Sequence, residues 1–98
     1  MHATQPGETL LLGTLQTPRL RVTKAIPLVV SVDNGQAVLT WPEASHLFGH
    51  GPILSDAIHD FCLAVGELYD ALHDGSPLGE TMLGVRATLD DHIRSVNS

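Results

Sequence analysis

The sequence predicts an α+β domain of two layers, in which an antiparallel β-sheet of three or four strands packs against a long amphipathic helix, with a second helix at the C-terminus. Three observations predict it: helical apolar periodicity over residues 55–73, two β-rich runs joined by a turn at residues 33–35, and a further amphipathic stretch over residues 80–96. Since the chain has 98 residues, we expect one domain spanning 1–98, with residues 1–7 as a disordered start.

The first two strands are predicted from short β-rich runs on either side of a turn. Residues 9–15 are apolar with interspersed threonines, Thr17-Pro18 marks the turn, and residues 19–24 alternate between apolar and polar side chains. Proline has no N–H to donate to a sheet. Pro27 is therefore expected to end the second strand or to place it at a sheet edge.

A β-hairpin is predicted over residues 28–41. Its two arms read LVVSV and QAVLTW, and the Asn34-Gly35 pair between them tolerates the positive backbone angles that tight hairpin turns require. Pro42-Glu43 ends the pairing, and residues 46–48 are predicted as a short further strand. Residues 49–52, Gly-His-Gly-Pro, are predicted as the loop that leads into the long helix.

The long helix is the strongest prediction, because apolar residues recur along it at intervals of three and four. They are Ile58, Phe61, Val65, Leu68 and Leu72. This spacing puts them on one face, which has to be buried against the sheet. Ser55 is predicted to cap the helix N-terminus. Cys62 is expected to be a small buried thiol.

The C-terminal helix is predicted over residues 80–96, after a break at the Asp-Gly-Ser-Pro sequence of residues 74–77. Its apolar face would comprise Met82, Val85, Leu89, Ile93 and Val96.

The charge balance favours a basic protein partner. Eleven acidic and five basic residues give a formal net charge of −6, which opposes binding to nucleic acid. Asp56 and Asp60 share a helix face and are candidate partner-binding residues. Trp41, at a strand end, is a third candidate, with a core position and an exposed interface anchor both left open. Because so small a domain has a thin core, a homo-oligomer, either a dimer or a tetramer, is expected.

The sequence offers no assembled catalytic or cofactor site. Six histidines are present, and His46 and His50 have the spacing of helical zinc ligands, but Gly49 and Gly51 argue against a helix there. A single cysteine excludes an intramolecular disulfide and a zinc site of several cysteines. We therefore expect no catalytic residues, no metal and no cofactor. No apolar run is long enough for a membrane span, and a cytoplasmic location is expected.

Three short motifs resemble the bacterial HicB-like antitoxin family over residues 26–96. They are Pro42-Glu43, Gly49-His50-Gly51 and Asp56-Ala57-Ile58. The resemblance implies a curled antiparallel sheet with a helix on one face, dimers or tetramers, and pairing with a toxin encoded alongside. The expected function is accordingly a non-enzymatic, antitoxin-like module that neutralises a small basic toxin such as a ribonuclease. Two alternatives remain: a structural or regulatory homo-oligomer without a toxin, and a metal-dependent hydrolase.

Overall fold

The computed structural model describes residues 8–45 and 47–96 and confirms the predicted α+β class. In chain order the elements are β1 (Glu8–Leu12), β2 (Leu20–Val22), β3 (Ile26–Asp33), β4 (Gln36–Thr40), a 3-10 turn (Pro42–Ala44), β5 (Phe48–Gly51), α1 (Leu54–Leu72), α2 (Glu80–His92) and β6 (Ile93–Ser95). A four-stranded antiparallel sheet has the order β1-β3-β4-β5, and β2 pairs with β6 in a separate two-stranded sheet.

The β3–β4 hairpin is confirmed, with the turn at the predicted residues. Asp33 pairs with Gln36 at its closed end. Asn34 has φ 52° and Gly35 has φ 76°. Two successive positive φ angles match the right-handed twist of the flanking strands, which is why Asn-Gly is favoured there.

The second strand ends before Pro27, as predicted, since β2 stops at Val22; the next strand, however, begins at Ile26 and so includes Pro27, whereas the hairpin was predicted from residue 28. Pro27 belongs to β3, between β1 and β4, and pairs with Leu11 of β1. The pairing of β3 with β4 starts only at Val29, opposite Thr40. At Pro27, β3 is paired with β1 alone. The missing N–H of the proline therefore does not interrupt the pairing of β3 with β4.

The Gly-His-Gly segment is a strand and not the predicted loop. In β5, Gly49 pairs with Leu39 and Gly51 with Ala37. Both glycines are buried against α1: a Cβ on Gly49 would lie 2.5 Å from the carbonyl oxygen of Ala57, and one on Gly51 would lie 2.6 Å from the Cβ of Asp56. The glycines thus serve a close approach of strand to helix, not a turn. His46, in the predicted strand 46–48, lies outside the described residues.

The apolar face of α1 packs on the sheet as predicted. Phe61 and Val65 are fully buried, Leu72 is buried, and Ile58 and Leu68 are half-buried against the same core. Cys62 is buried, which confirms its predicted environment.

The start of α1 corrects the predicted cap. The N-cap position is Ile53, no side chain caps the helix, and the first helical bond runs from the Ala57 N–H to the Ile53 carbonyl. Ser55 lies inside the first turn, where its hydroxyl cannot take the N-cap role.

The C-terminal helix is shorter than predicted, because the chain turns into a strand. α2 ends at His92, and Ile93–Ser95 pairs with β2. Ile93 is still buried, but Val96 is half exposed instead of lying on an apolar helix face. The backbone of β2 needs partners for its N–H and C=O groups. β6 supplies them, and the His92 carbonyl accepts from the Thr23 N–H at 2.8 Å.

Candidate protein-binding surface

The exposed side of α1 carries four carboxylates in a line, and His59 and Leu63 lie among them. We call these six residues the acidic stripe: Asp56, His59, Asp60, Leu63, Glu67 and Asp70. At 100° per residue these six fall within about 100° of arc, opposite the face centred on Val65. From Asp56 to Asp70 the stripe is about 21 Å long at about 1.5 Å per residue. Asp56 and Asp60, the two predicted acidic candidates, thus lie together at one end of a longer surface.

Asp60 has a structural role in addition to its charge. It is half-buried, and its Oδ2 accepts a hydrogen bond from the backbone N–H of His50 at 3.0 Å. His50 lies in β5, which is an edge strand of the four-stranded sheet. Unpaired N–H groups on such an edge invite pairing with another chain. The Asp60 carboxylate therefore blocks one donor of the β5 edge.

Asp56 and Glu67 are the two exposed carboxylates of the stripe that make no ion pair with another described residue. Asp70 is already neutralised in part by Arg19, whose Nη1 lies 2.9 Å from the Asp70 Oδ1, with both side chains about half exposed. The Cβ of Asp56 also packs over Gly51, which fixes its stem against β5.

Leu63 interrupts the stripe with an apolar side chain that is 55% exposed. Beside it lies a groove of about 190 Å³ between α1 and the loop before β2. Gln16, in that loop, has φ 61°, and its Oε1 lies 3.3 Å from the Nδ1 of His59. Sequence reasoning did not select Leu63, although a leucine on the charged side of a helix was the available signal.

Trp41, the third sequence candidate, belongs to the core. Its side chain has no exposed surface; its ring centroid lies 6.4 Å from that of Phe61 and 5.0 Å from that of His92, the latter edge-on. Of the two alternatives for Trp41, the structure shows the core position. The prediction that Trp41 binds a partner is therefore wrong, because its side chain has no exposed surface to offer a partner. Its Nε1 has no hydrogen-bond acceptor among the described residues.

The described histidines and carboxylates do not converge on a metal-binding arrangement. Within residues 8–45 and 47–96, no group of three or more His, Cys, Asp or Glu side chains is placed to hold an ion. Three exposed histidines each have a different neighbour: the His50 ring stacks on Phe48, the His59 Nδ1 lies 3.3 Å from the Gln16 Oε1, and the His73 Nε2 lies 2.8 Å from the Asp90 Oδ1.

The single thiol is poorly suited to nucleophilic chemistry. Burial raises the pKa of Cys62, so little thiolate forms near neutral pH. Its Sγ lies 3.9 Å from the Thr14 carbonyl oxygen. Both observations fit a packing role for this side chain.

Neither described helix is long and apolar enough to cross a membrane. No protein-family model, curated protein or solved structure matches this chain.

Proposed function

We propose that this chain is a non-enzymatic binding module of the antitoxin type, which neutralises a small basic protein, such as a ribonuclease toxin, by covering it with the acidic stripe. The observation that carries the proposal is the juxtaposition of unpaired Asp56 and Glu67 around the exposed Leu63 on one rigid helix. The resemblance of Pro42-Glu43, Gly49-His50-Gly51 and Asp56-Ala57-Ile58 to motifs of the HicB-like family supports the same class of function.

Electrostatics would set the rate of encounter. A surface that binds RNA presents cations to phosphates, and a row of carboxylates on a helix competes for those same cations. Complementary charge raises association rates and orients the partners, whereas lasting affinity comes from a few desolvated anchors. In this chain Leu63 is the anchor, and Asp56 and Glu67 form its charged rim.

Arg19 adds an exchangeable contact at the end of the stripe. Its ion pair with Asp70 is solvent-exposed, with 53% and 56% of the two side chains accessible. Exposed pairs of this kind contribute little stability, typically about 0–1 kcal/mol. A cation of the partner can therefore replace Arg19 at Asp70 at little cost to the fold.

The test is co-expression with the short basic reading frame adjacent to the gene, followed by binding kinetics on the purified complex. Reversing two stripe charges, with Asp56→Lys and Glu67→Lys, should slow association at least about tenfold at low salt and by much less at high salt. Leu63→Ala should instead speed dissociation. The matched control, Glu43→Lys with Glu80→Lys, changes the net charge equally but lies off the stripe.

Two outcomes would overturn the proposal. If the control pair slows association as much as the stripe pair, net charge and not the stripe governs binding. If no complex copurifies, and the chain alone hydrolyses RNA with added manganese in a manner lost on replacing His46 or His50, the hydrolase alternative takes its place.

A further inference from the structure

The four-stranded sheet has a second face, directed away from α1, which we call the open sheet face. Strand side chains alternate between faces, and Gly49 and Gly51 are directed at α1, so Phe48 and His50 project to the other side. The strand register extends this face across the sheet. Its residues are Thr9, Leu11, Pro27, Val29, Ser31, Val38, Thr40, Phe48 and His50, with Asp33 and Gln36 at the hairpin end.

This face is apolar and uncovered by the described elements. Leu11 is 66% exposed on the β1 edge, and Phe48 is 54% exposed on the β5 edge. Val29 and Val38 lie between them in the two central strands, and the Phe48 ring stacks on that of His50 at 6.2 Å. A contiguous apolar patch with polar ends is typical of a surface that binds another molecule.

The open sheet face is also nearly free of formal charge. All eleven acidic residues lie in the described part of the chain, yet only two belong to the four strands, Glu8 and Asp33. Glu8 pairs with Val30, on the α1 side of the sheet, so Asp33 is the one carboxylate on the open face. None of the five Lys and Arg residues lies in these strands.

We propose that a second copy of this chain covers the open sheet face, with the two sheets packed face to face about a two-fold axis. Charge selects this occupant. Two copies, each with a net charge of −6, repel one another everywhere except where carboxylates are missing. A basic protein would gain no electrostatic attraction on the same face, and it has the acidic stripe on the opposite side of the sheet.

The positions of the two large exposed side chains suit a self-complementary contact. A two-fold interface brings the same patch of each copy together. With the axis parallel to the strands, the β1 edge of one copy lies over the β5 edge of the other. Leu11 of each copy then approaches the side of the partner sheet that carries Phe48, so neither apolar side chain is left in water.

The area is sufficient for a dimer of modest affinity. Four strands about 4.8 Å apart and about five residues long give a face of about 19 by 17 Å, on the order of 300 Å² in projection for each copy. Accessible area exceeds projected area because side chains stand out from the sheet. Two such faces sum to about 600 Å² in projection and to somewhat more in accessible area, so the pair belongs with small interfaces, below about 1,200 Å² in total, and we expect a weak dimer.

The test is the oligomeric state of the intact chain, measured by sedimentation equilibrium from micromolar to hundreds of micromolar. Phe48→Asp and Leu11→Asp each place a carboxylate in the contact and should raise the dimer dissociation constant at least about tenfold. Leu83→Asp is the matched control, since Leu83 is 50% exposed on α2, and should leave it unchanged. Fluorescence of the buried Trp41 verifies that each variant is folded.

Concentration-dependent NMR spectra give a second readout that needs no substitution. On dilution, the methyl signals of Val29, Val38 and Leu11 should shift, while those of Leu63 stay constant. A monomer at every concentration, a dimer that survives both face substitutions, or a dimer lost in the Leu83 control overturns the proposal. So does a monomer that uses Phe48 to bind phosphatidylcholine vesicles or a basic protein.

Dimerisation through the open sheet face does not depend on the proposed neutralising function. The dimer test uses the chain alone, and the stripe test uses the complex with a basic partner. Either can fail without the other.

Discussion

Gly49 shows how a residue can be conspicuous in a sequence and still be assigned the wrong role. Glycines on both sides of His50 favour a loop, since glycine is common in turns. In the structure the same residues are required for the opposite reason, because the β5 backbone lies directly against α1 and leaves no room for a side chain. Which of the two roles applies depends on whether α1 packs directly against these glycines. The residues around Gly49 in the sequence do not indicate that contact.

The close approach at Gly49 leads to a stability prediction. In Gly49→Ala the new Cβ would lie 2.6 Å from the Phe61 backbone nitrogen and 2.5 Å from the Ala57 carbonyl oxygen, so strand and helix have to separate. Overpacking of this kind costs about 1–3 kcal/mol, and two backbone contacts place it at the upper end or beyond. Urea denaturation followed by Trp41 fluorescence measures the loss.

Gly84→Ala is the matched control for that substitution. Gly84 lies within α2, and a Cβ there meets nothing within 4 Å. Alanine should therefore stabilise the protein by about 0.5–1 kcal/mol through helix propensity. If Gly49→Ala unfolds at the same urea concentration as the unsubstituted protein, the β5–α1 contact is looser than the structure shows.

Buried and exposed apolar residues differ in how well the sequence predicts them. The sequence predicts Phe61 and Val65 as core because they share a helical period with other apolar residues, and both are fully buried. Trp41 has no such period to decide its environment, because a residue at a strand end is compatible with core or surface. For Leu63 the helical period does decide, since it places the side chain on the solvent side of α1.

At the scale of elements, local patterns predicted α1 and the β3–β4 hairpin, whereas β6 could not be predicted in the same way. The spacing of apolar residues and the Asn-Gly turn lie within each element. The strand Ile93–Ser95 forms because β2, at the other end of the chain, needs a partner. Without that partner the apolar pattern of residues 80–96 fits a continuous helix equally well.

A surface ion pair links α2 to the segment that follows β2, and its small contribution should appear in the pH dependence of stability. The Lys24 Nζ lies 2.9 Å from the Asp91 Oδ2. The hydrogen bond and charge of Lys24 lower the pKa of Asp91 from its ordinary 3.8, and Asp91 raises the pKa of Lys24 above its ordinary 10.5. A lowered carboxyl pKa contributes stability above the unfolded pKa, and this is lost as pH falls through the folded pKa.

We therefore expect the free energy of unfolding to fall as the pH is lowered from about 5 to 2, and to fall less steeply in Asp91→Asn. Asp74, whose pKa is lowered by the Ser76 N–H, titrates in the same window and leaves a residual slope. Urea titrations at several pH values give the measurement. In a Lys24→Met background, Asp91→Asn should flatten the curve less; an equal effect in both backgrounds would show that the pair is not formed in solution.

At the scale of the whole molecule, the sheet separates two surfaces of different character. The acidic stripe lies on the helix side, with Asp56 and Glu67 exposed, and the open sheet face lies on the other side, with Asp33 as its one carboxylate. A face-to-face dimer therefore leaves both stripes in solvent and free to bind. A net charge of −6 thus has opposite consequences at the two surfaces, attractive toward a basic partner and repulsive toward a second copy.

This difference predicts salt dependences of opposite sign. The screening length shortens from about 30 Å at 0.01 M salt to about 8–10 Å near 0.1–0.15 M. Dimerisation should tighten over this range, because salt screens the repulsion between two acidic chains and leaves the apolar contact intact. Binding of the basic partner should weaken over the same range, mainly through slower association. Sedimentation equilibrium and stopped-flow binding measure the two effects.

Phe48→Asp should abolish the salt dependence of dimerisation and preserve the salt dependence of partner binding. If salt weakens the dimer instead, ion pairs hold the two copies together and the contact lies on a charged surface.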